Sequence, residues 1–308
     1  MTFILHKPKR LPSATGLPLL LVLCALSTWA SAGEIHAPAN VEAGHAFSIP
    51  LEGTGQATFY LIGPDHVARR TVNLGSDLQI EASDVRAAGR YQMILCDASC
   101  SSTTVEVKAA SGAHLSFFLH PSRVPVSTPN SIDATAFVFD RFSNLVLTPA
   151  VVDFQITPAT GAGFSRQNST RDGVTWLRLD STPHEGRIQV TARLGSGAGN
   201  AGNEEEARVI QQVAAEACAL RMKVEQTGNT VTLETDPVRD CSGNALPDGT
   251  IVSFTKVDEA GRSTVDTPIK KGVARTQFSM TGPARISIAC GVVLGNEVAL
   301  NGRSGGKS

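Results

Sequence analysis

Asp140–Val146 has the sequence Asp-Arg-Phe-Ser-Asn-Leu-Val, and it leads into Val151–Phe154, Val-Val-Asp-Phe. One hundred residues later the chain repeats it, as Asp-Cys-Ser-Gly-Asn-Ala-Leu over Asp240–Leu246 and Ile-Val-Ser-Phe over Ile251–Phe254. The Asp, Asn, Val and Phe of the two copies coincide with no gap. An internal repeat shows what a chain is built from. This repeat therefore predicts two copies of one module, and it does not name a reaction.

The repeat continues beyond this block. Gly173-Val174 matches Gly272-Val273, and residues 187–192 match residues 285–290, so that the offset falls from 100 to 99 and then to 98. Deletions in surface loops produce such a drift, because loops tolerate changes in length. Each copy spans about 85 residues, which is the size of one β-sandwich domain.

Short alternating segments dominate the chain after Gly33. Apolar and polar residues alternate in residues 46–51, 57–62, 91–95 and 103–107, and Gly, Pro, Asn and Asp separate these segments. Such period-2 alternation with turn residues between is typical of β-strands. Since no long amphipathic helix competes, the sequence predicts an all-β protein of tandem immunoglobulin-like β-sandwiches.

The second copy resembles the bacterial immunoglobulin-like domains of the invasin and intimin type. In those domains a strand enters an Asp-x-x-Gly-Asn turn, passes a proline or glycine corner and continues in a strand that ends in Phe. The residues that carry the resemblance are Asp240, Gly243, Asn244, Pro247 and Gly249. The first copy departs from the pattern, with Ser143 in place of the glycine and Thr148-Pro149 at the corner. The resemblance covers residues 114–300, and it implies secreted, extended tandem modules that serve as stalks and adhesive arms.

The domain plan follows from these observations. We expect a first immunoglobulin-like domain over residues 33–110, a second over 111–216, a third over 217–300 and a flexible tail over 301–308. The first domain is only generically immunoglobulin-like. Its Ala88–Tyr91 segment is similar to a tyrosine corner, but no cysteine stands two residues after Tyr91.

Residues 1–32 have the composition of a secretory signal peptide. A basic start precedes an apolar run from Leu17 to Leu26, and Ala30-Ser31-Ala32 is a small-x-small cleavage site. A signal anchor is the competing interpretation, and the apolar run is too short for it, because a membrane span needs about 20 apolar residues. A lipoprotein signal on Cys24 is disfavoured by the bulky Leu23 before it. We expect a product secreted, periplasmic or on the cell surface, with no membrane span after cleavage.

The charge of the mature chain argues against nucleic acid as a partner. The sequence has 27 basic and 28 acidic residues, and residues 1–32 contain three of the basic ones and none of the acidic ones. The remaining 24 basic and 28 acidic residues give a small negative net charge. Nucleic acid and anionic lipid require clustered positive charge. The partner expected instead is a macromolecule of another kind, a protein or a cell-envelope component.

Two motifs suggest cofactors. Residues 197–202 fit G-x-G-x-x-G, but Glu204–Glu206 follow where a phosphate-binding helix would begin, and their carboxylates repel phosphate. A hairpin loop is the better interpretation. The pairs Asp140/Asn144 and Asp240/Asn244 suggest calcium, yet such a turn supplies too few of the six to eight oxygens that calcium takes. In turns, Asp and Asn mostly bond their own backbone. We expect no cofactor.

The remaining candidate residues give no catalytic or metal site. The mature histidines are scattered without zinc-ligand spacing, and neither H-E-x-x-H nor G-x-S-x-G occurs. Trp176, the one tryptophan after residue 32, alternates within a predicted strand. Glycan-binding modules use stacked aromatic residues, but packing is the favoured role for a single tryptophan in a strand. We expect no enzyme, no catalytic residues and no metal ligands.

The five mature cysteines predict disulfides, the default state in an exported protein. Cys96 and Cys100 close a small loop between two strands. Cys218 begins the first strand of the third domain, beside the end of the second strand, where Cys241 lies, and neighbouring strand ends bring Cα atoms within about 7 Å. We favour Cys218–Cys241 and place Cys290 in the core as a free thiol. The rival pairing is Cys241 with Cys290, since loops gather at one end of this fold.

These expectations lead to one preferred function. The sequence favours a secreted or periplasmic, non-enzymatic structural or adhesive protein, whose faces and loops contact another macromolecule. The alternative is an accessory module, carbohydrate-binding or associated with an enzyme. Trp176 and the glycine-rich segment are the features that favour this alternative.

Overall fold

The computed structural model describes residues 35–195 and 204–301. The predicted signal peptide, the glycine-rich motif and nearly all of the predicted tail lie outside these ranges. Within them the chain forms 24 β-strands and one 3₁₀ turn, Ala82–Asp84. The strands in chain order are β1 Asn40–Glu42, β2 Phe47–Pro50, β3 Gln56–Ile62, β4 Val67–Asn73, β5 Asp77–Ile80, β6 Gly89–Cys96, β7 Cys100–Lys108, β8 His114–His120, β9 Arg123–Pro125, β10 Ile132–Phe139, β11 Val151–Pro158, β12 Phe164–Ser169, β13 Val174–Leu179, β14 Gly186–Leu194, β15 Glu205–Val213, β16 Ala217–Ala219, β17 Met222–Thr227, β18 Thr230–Thr235, β19 Arg239–Asp240, β20 Ile251–Asp258, β21 Gly261–Pro268, β22 Arg275–Ser279, β23 Ala284–Cys290 and β24 Val293–Leu300. The predicted all-β class is confirmed.

The chain divides into two compact units. The first contains Phe47–Ile80, Tyr91–Val105 and the described residues up to Ala39. In it β3 is central, with β4 and β6 antiparallel on its two sides, while β2 pairs with β5. β3 shows the predicted alternation, since Ala57, Phe59 and Leu61 are buried and the residues between them are more exposed.

The second unit contains Asn40–Ala46, Glu81–Arg90 and the described residues from Glu106 onward. It has two separate apolar cores, one drawn from residues 115–210 and the other from residues 217–290. The predicted boundary near residue 216 falls between these cores. The division of the whole chain into three domains stays a prediction.

The second sandwich, as we call the part around the first of these cores, packs two sheets together. One has three strands in the order β13-β10-β8, and the other has five, β12-β11-β14-β15-β9. β10 shows why these residues form a strand. Ile132, Ala134, Ala136 and Val138 are fully buried, whereas the intervening side chains face outward.

The third sandwich repeats this plan around the second core. Its three-stranded sheet has the order β17-β18-β22, its four-stranded sheet the order β21-β20-β23-β24, and β16 pairs with β19. The repeated phenylalanines Phe154 and Phe254 lie at corresponding places, on β11 and β20, and both are fully buried. The repeat in the sequence is therefore a repeat of core positions.

The structure contains the two disulfides that the sequence favours, Cys96–Cys100 and Cys218–Cys241. Cys290 is a free thiol, buried in the core of the third sandwich. Burial raises its pKa, and the nearby Glu216 carboxylate raises the pKa further. Within residues 35–195 and 204–301 no helix has the length and apolar character that crossing a membrane requires.

Candidate functional site

The repeated Asp-Asn turn is a hydrogen-bond centre with the same geometry in both copies. One carboxylate oxygen of Asp140, Oδ1, accepts hydrogen bonds from the N–H groups of Phe142 at 2.8 Å and Asn144 at 2.9 Å. Asp240 Oδ1 accepts from Ser242 and Asn244, both at 2.9 Å. Both aspartates are buried, so these bonds satisfy charges that water does not reach.

The second oxygen of each aspartate binds the chain that leads into the sandwich. Asp140 Oδ2 accepts from the Ala110 N–H at 2.9 Å, and Asp240 Oδ2 accepts from the Ala215 N–H at 3.0 Å. Burial raises the pKa of Asp240, but the Asn244 side chain and the N–H donors together lower it below its ordinary value. The turn therefore anchors the segment that enters each module.

The asparagine of each turn holds a second segment. Asn144 Nδ2 donates to the Arg86 carbonyl at 2.7 Å, and its Oδ1 accepts from the Ala88 N–H at 2.7 Å. The segment 86–88 precedes β6 and lies in the same compact unit as Asn144. We call this pair of bonds the first latch.

The second latch repeats the first in the next module. Asn244 Nδ2 donates to the Pro183 carbonyl at 2.9 Å, and its Oδ1 accepts from the Glu185 N–H at 3.3 Å. The segment 183–185 precedes β14, as the segment 86–88 precedes β6. The turn of the third sandwich therefore holds a loop of the second sandwich.

These bonds account for the oxygens that suggested calcium. Both carboxylate oxygens of Asp140 and of Asp240 accept N–H groups, and each asparagine oxygen is bound to a neighbouring segment. Among the described residues no group of three or more His, Cys, Asp and Glu side chains could hold a metal ion. The turns act as joints between segments of the chain.

The structure corrects the interpretation of Trp176 as a packing residue. Its side chain is 62% exposed on the outer face of the three-stranded sheet of the second sandwich. Phe118, on β8, is 58% exposed on the same face, and Phe137 meets it edge to face with ring centroids 5.9 Å apart. We call this surface the aromatic face. Sequence reasoning missed Phe118 and Phe137, although Arg178, two residues after Trp176, marked this side of β13 as the solvent side.

The edge of the three-stranded sheet is covered by carboxylates of the other sheet. Glu204 accepts from the Leu115 N–H at 3.1 Å and contacts the His114 ring at 2.9 Å, and Glu206 accepts from the Phe117 N–H at 3.2 Å. The acidic run that argued against a phosphate site thus has a structural role, because it occupies backbone donors that an edge strand leaves open.

The comparisons with known proteins agree with this architecture. The chain is similar to a solved structure of FdeC, a broadly conserved Escherichia coli adhesin, with 14% sequence identity and a TM-score of 0.54 over 88% of this chain and 96% of the chain in that structure. It also aligns with invasin, a bacterial integrin-binding protein, at 13% identity and a TM-score of 0.46 over 84% of this chain and 56% of that one. The likeness to FdeC confirms the predicted resemblance to bacterial immunoglobulin-like domains at the level of the fold. No family model and no curated protein sequence matches the chain.

Proposed function

We propose that this chain is an exported, non-enzymatic protein whose tandem immunoglobulin-like modules form an adhesive arm. The observation that carries the proposal is the repetition of the latch. A catalytic protein needs one well-placed constellation of reactive groups. This chain instead places its buried aspartates and their asparagine partners twice, at positions where they fix one segment to another.

The second latch joins the second and third sandwiches, which belong to one compact unit, and limits bending at that junction. Interfaces between domains of one chain are by default mobile unless they are large and apolar. Each latch adds two directional hydrogen bonds, to a carbonyl and to an N–H of the same short segment. Such a bidentate contact fixes orientation as well as distance.

Three further features support export and adhesion. The sequence carries a predicted signal peptide, and the two disulfides belong to an oxidising compartment. FdeC, which shares the fold, is itself an adhesin. The aromatic face gives the second sandwich an exposed surface with the composition of a contact site.

The proposal is tested by measuring whether the mature chain, residues 33–308, binds material from cell envelopes and from extracellular matrix. Purified protein is immobilised and exposed to cell-envelope and extracellular-matrix fractions, with the same protein unfolded and carboxymethylated as control. We expect saturable retention by the folded protein alone. If the folded protein retains nothing that the unfolded control does not, the adhesive role is wrong and a purely structural role remains.

A further inference from the structure

The aromatic face consists of three rows of side chains that cross the sheet. The middle row is Trp176, Thr135 and Phe118, which are direct partners across β13, β10 and β8. The row on one side is Arg178, Asp133 and His120, and the row on the other is Val174, Phe137 and Ser116. The Arg178 Nε donates to Asp133 Oδ1 at 2.8 Å, so that the charges of the guanidinium and the carboxylate are paired.

The third sandwich supplies an internal comparison for this face. The offset of 99 that aligns Gly173-Val174 with Gly272-Val273 places Arg275 at the position of Trp176. Arg275 pairs with Glu234, and Glu234 pairs with Lys223, so the matching row is wholly charged. The fold therefore does not require aromatic residues in this row. The largest exposed apolar patch on a monomeric protein is typically about 300–600 Å² and is often functional.

The size of the aromatic face limits what can occupy it. Three strands about 4.8 Å apart and five residues rising about 3.4 Å each give a footprint on the order of 300 Å² once side chains are included. A stable contact with a folded protein buries about 800 Å² on each partner. A second copy of this chain, or a folded protein that contacted this face alone, would be bound too weakly. The face suits a narrow, linear ligand.

The chemistry of the face selects among linear ligands. The flat rings of Trp176 and Phe118 can stack on a flat ligand that is apolar on its faces. Thr135 between the two rings, and Ser116 and His120 in the rows on either side, supply hydrogen-bonding groups. The paired Arg178 and Asp133 leave no net charge to attract an anion or a cation. An extended peptide would bind the backbone groups of a strand edge and not the face of the sheet. At the β8 edge the Glu204 and Glu206 carboxylates already occupy the N–H groups of Leu115 and Phe117.

We propose that the aromatic face is a binding site for a neutral saccharide chain, whose sugar rings stack on Trp176 and Phe118. C–H groups on the faces of a pyranose contact the aromatic rings, and its hydroxyl groups at the rim bond the flanking polar side chains. The inference rests on the proposed adhesive function and names its ligand class. The ligand is a neutral glycan of the surface to which the protein adheres, and successive sugar rings of the glycan each make weak contacts with the aromatic face.

Trp176 makes direct measurement possible, because it is the only tryptophan in residues 33–308. Cellohexaose, chitohexaose and maltohexaose are titrated into the mature protein, and tryptophan emission and binding heat are recorded. We expect at least one of these neutral saccharides to shift the emission of Trp176 saturably. Phe118→Lys, which introduces the residue of the third sandwich, should weaken binding by about tenfold or more, as expected of a central contact residue.

Calorimetry measures saccharide binding by Trp176→Arg, which introduces the arginine found at the matching position 275 of the third sandwich, and by Phe164→Ser as the control. Phe164 is an aromatic residue of the same sandwich, 46% exposed on β12 in the opposite sheet. It lines a shallow groove of about 660 Å³ together with Asp153 and Arg193. We expect Trp176→Arg to lose saccharide binding and Phe164→Ser to keep it. If only Phe164→Ser loses binding, the site is that groove and the assignment to the aromatic face is wrong.

Capture of envelope polysaccharide, with and without periodate oxidation, separates failure of this inference from failure of the adhesive role. We expect capture that is lost on oxidation and lost in Trp176→Arg. Capture that survives in Trp176→Arg leaves adhesion in place but overturns the role of the face. Capture that needs Trp176 yet survives both periodate oxidation and digestion with chitinase, which removes chains without the vicinal diols that periodate cleaves, shows that the partner is not a glycan. If the parent protein captures neither an envelope fraction nor an extracellular-matrix fraction and binds none of the three saccharides, both proposals are wrong.

Discussion

Replacing the latch asparagines one at a time tests whether the joints work as the geometry indicates. Asn144→Ala removes the bond from Nδ2 to the Arg86 carbonyl, at 2.7 Å, and the bond from the Ala88 N–H to Oδ1, also at 2.7 Å. Asn244→Ala removes the corresponding bonds to Pro183 and Glu185, at 2.9 and 3.3 Å. Each change also removes a hydrogen bond from Nδ2 to the aspartate of the turn, at 2.9 Å to Asp140 Oδ2 and at 2.9 Å to Asp240 Oδ2.

The distances predict unequal effects. A hydrogen bond within a protein contributes about 0.5–1.5 kcal/mol net, so two bonds contribute about 1–3 kcal/mol. Both bonds of the first latch are short, whereas the 3.3 Å bond from the Glu185 N–H lies beyond the usual range for N–H···O bonds. We therefore expect the two latch bonds to account for about 2–3 kcal/mol of the loss in Asn144→Ala and for about 1–2 kcal/mol in Asn244→Ala, while the lost bond to the aspartate adds to the cost of both variants.

Hydrogen exchange resolved to single amides is the assay, because it reads the bonded N–H itself. In Asn144→Ala the Ala88 amide should exchange about tenfold faster or more, and in Asn244→Ala the Glu185 amide should exchange severalfold faster, since about 1.4 kcal/mol corresponds to a factor of ten. Each variant is the control for the other. The latch model is refuted if Ala88 keeps its protection in Asn144→Ala, or if either variant changes both amides alike.

Three further predictions concern stability. By the loop-entropy relation, Cys218→Ser should lower the free energy of unfolding by about 3–3.5 kcal/mol, measured by urea denaturation, and an unchanged midpoint would show that Cys218–Cys241 contributes nothing. Because the pKa of Asp240 is lowered in the folded state, it stabilises the fold above its unfolded pKa of about 3.9 and the stabilisation is lost as pH falls through the folded pKa. Asp240→Asn should flatten the acid limb of a pH–stability profile, and a limb as steep as that of the parent would count against this. Gly44→Ala should destabilise the fold by at least about 1–2 kcal/mol, since Gly44 has a φ of +73° and an added Cβ would lie 2.3 Å from the Phe142 ring. Adding Phe142→Ser, which introduces the serine found at position 242 of the other repeat, should recover part of this loss in thermal unfolding.

The features predicted correctly from the sequence are those set by neighbouring residues and by the internal repeat. Alternation gave the strands, and the repeat gave corresponding core positions such as Phe154 and Phe254, because a one-residue slip would turn each strand inside out. The pairing of Cys218 with Cys241 also followed from local strand order. A short turn joins β17 to β18, and this brings β16, which holds Cys218, beside β19, which ends just before Cys241. Residues close in sequence leave little choice of geometry.

The contacts that depend on distant segments could not be predicted. The turn at Asn144 is visible in the sequence, but its partners at residues 86–88 precede it by more than fifty residues. Nothing in a single sequence joins such segments. The error at Trp176 has a different cause, because alternation assigns a residue to one of two faces without saying which of them meets water. The charged residues at the same row of the third sandwich carried that information.

The latch geometry also defines which backbone groups a loop must present in order to bind the Asp-Asn turn of the next module. It needs a carbonyl and, two residues later, an N–H, as Arg86 and Ala88 provide and as Pro183 and Glu185 provide. In the third sandwich the offset of 98 places Thr281 and Pro283 at these positions. Proline has no backbone N–H, so this loop can offer only the carbonyl. An Asp-Asn turn docked on residues 281–283 would form one latch bond, whereas each of the two observed latches forms two. The absence of the second bond disfavours an equivalent joint at this loop of the third sandwich.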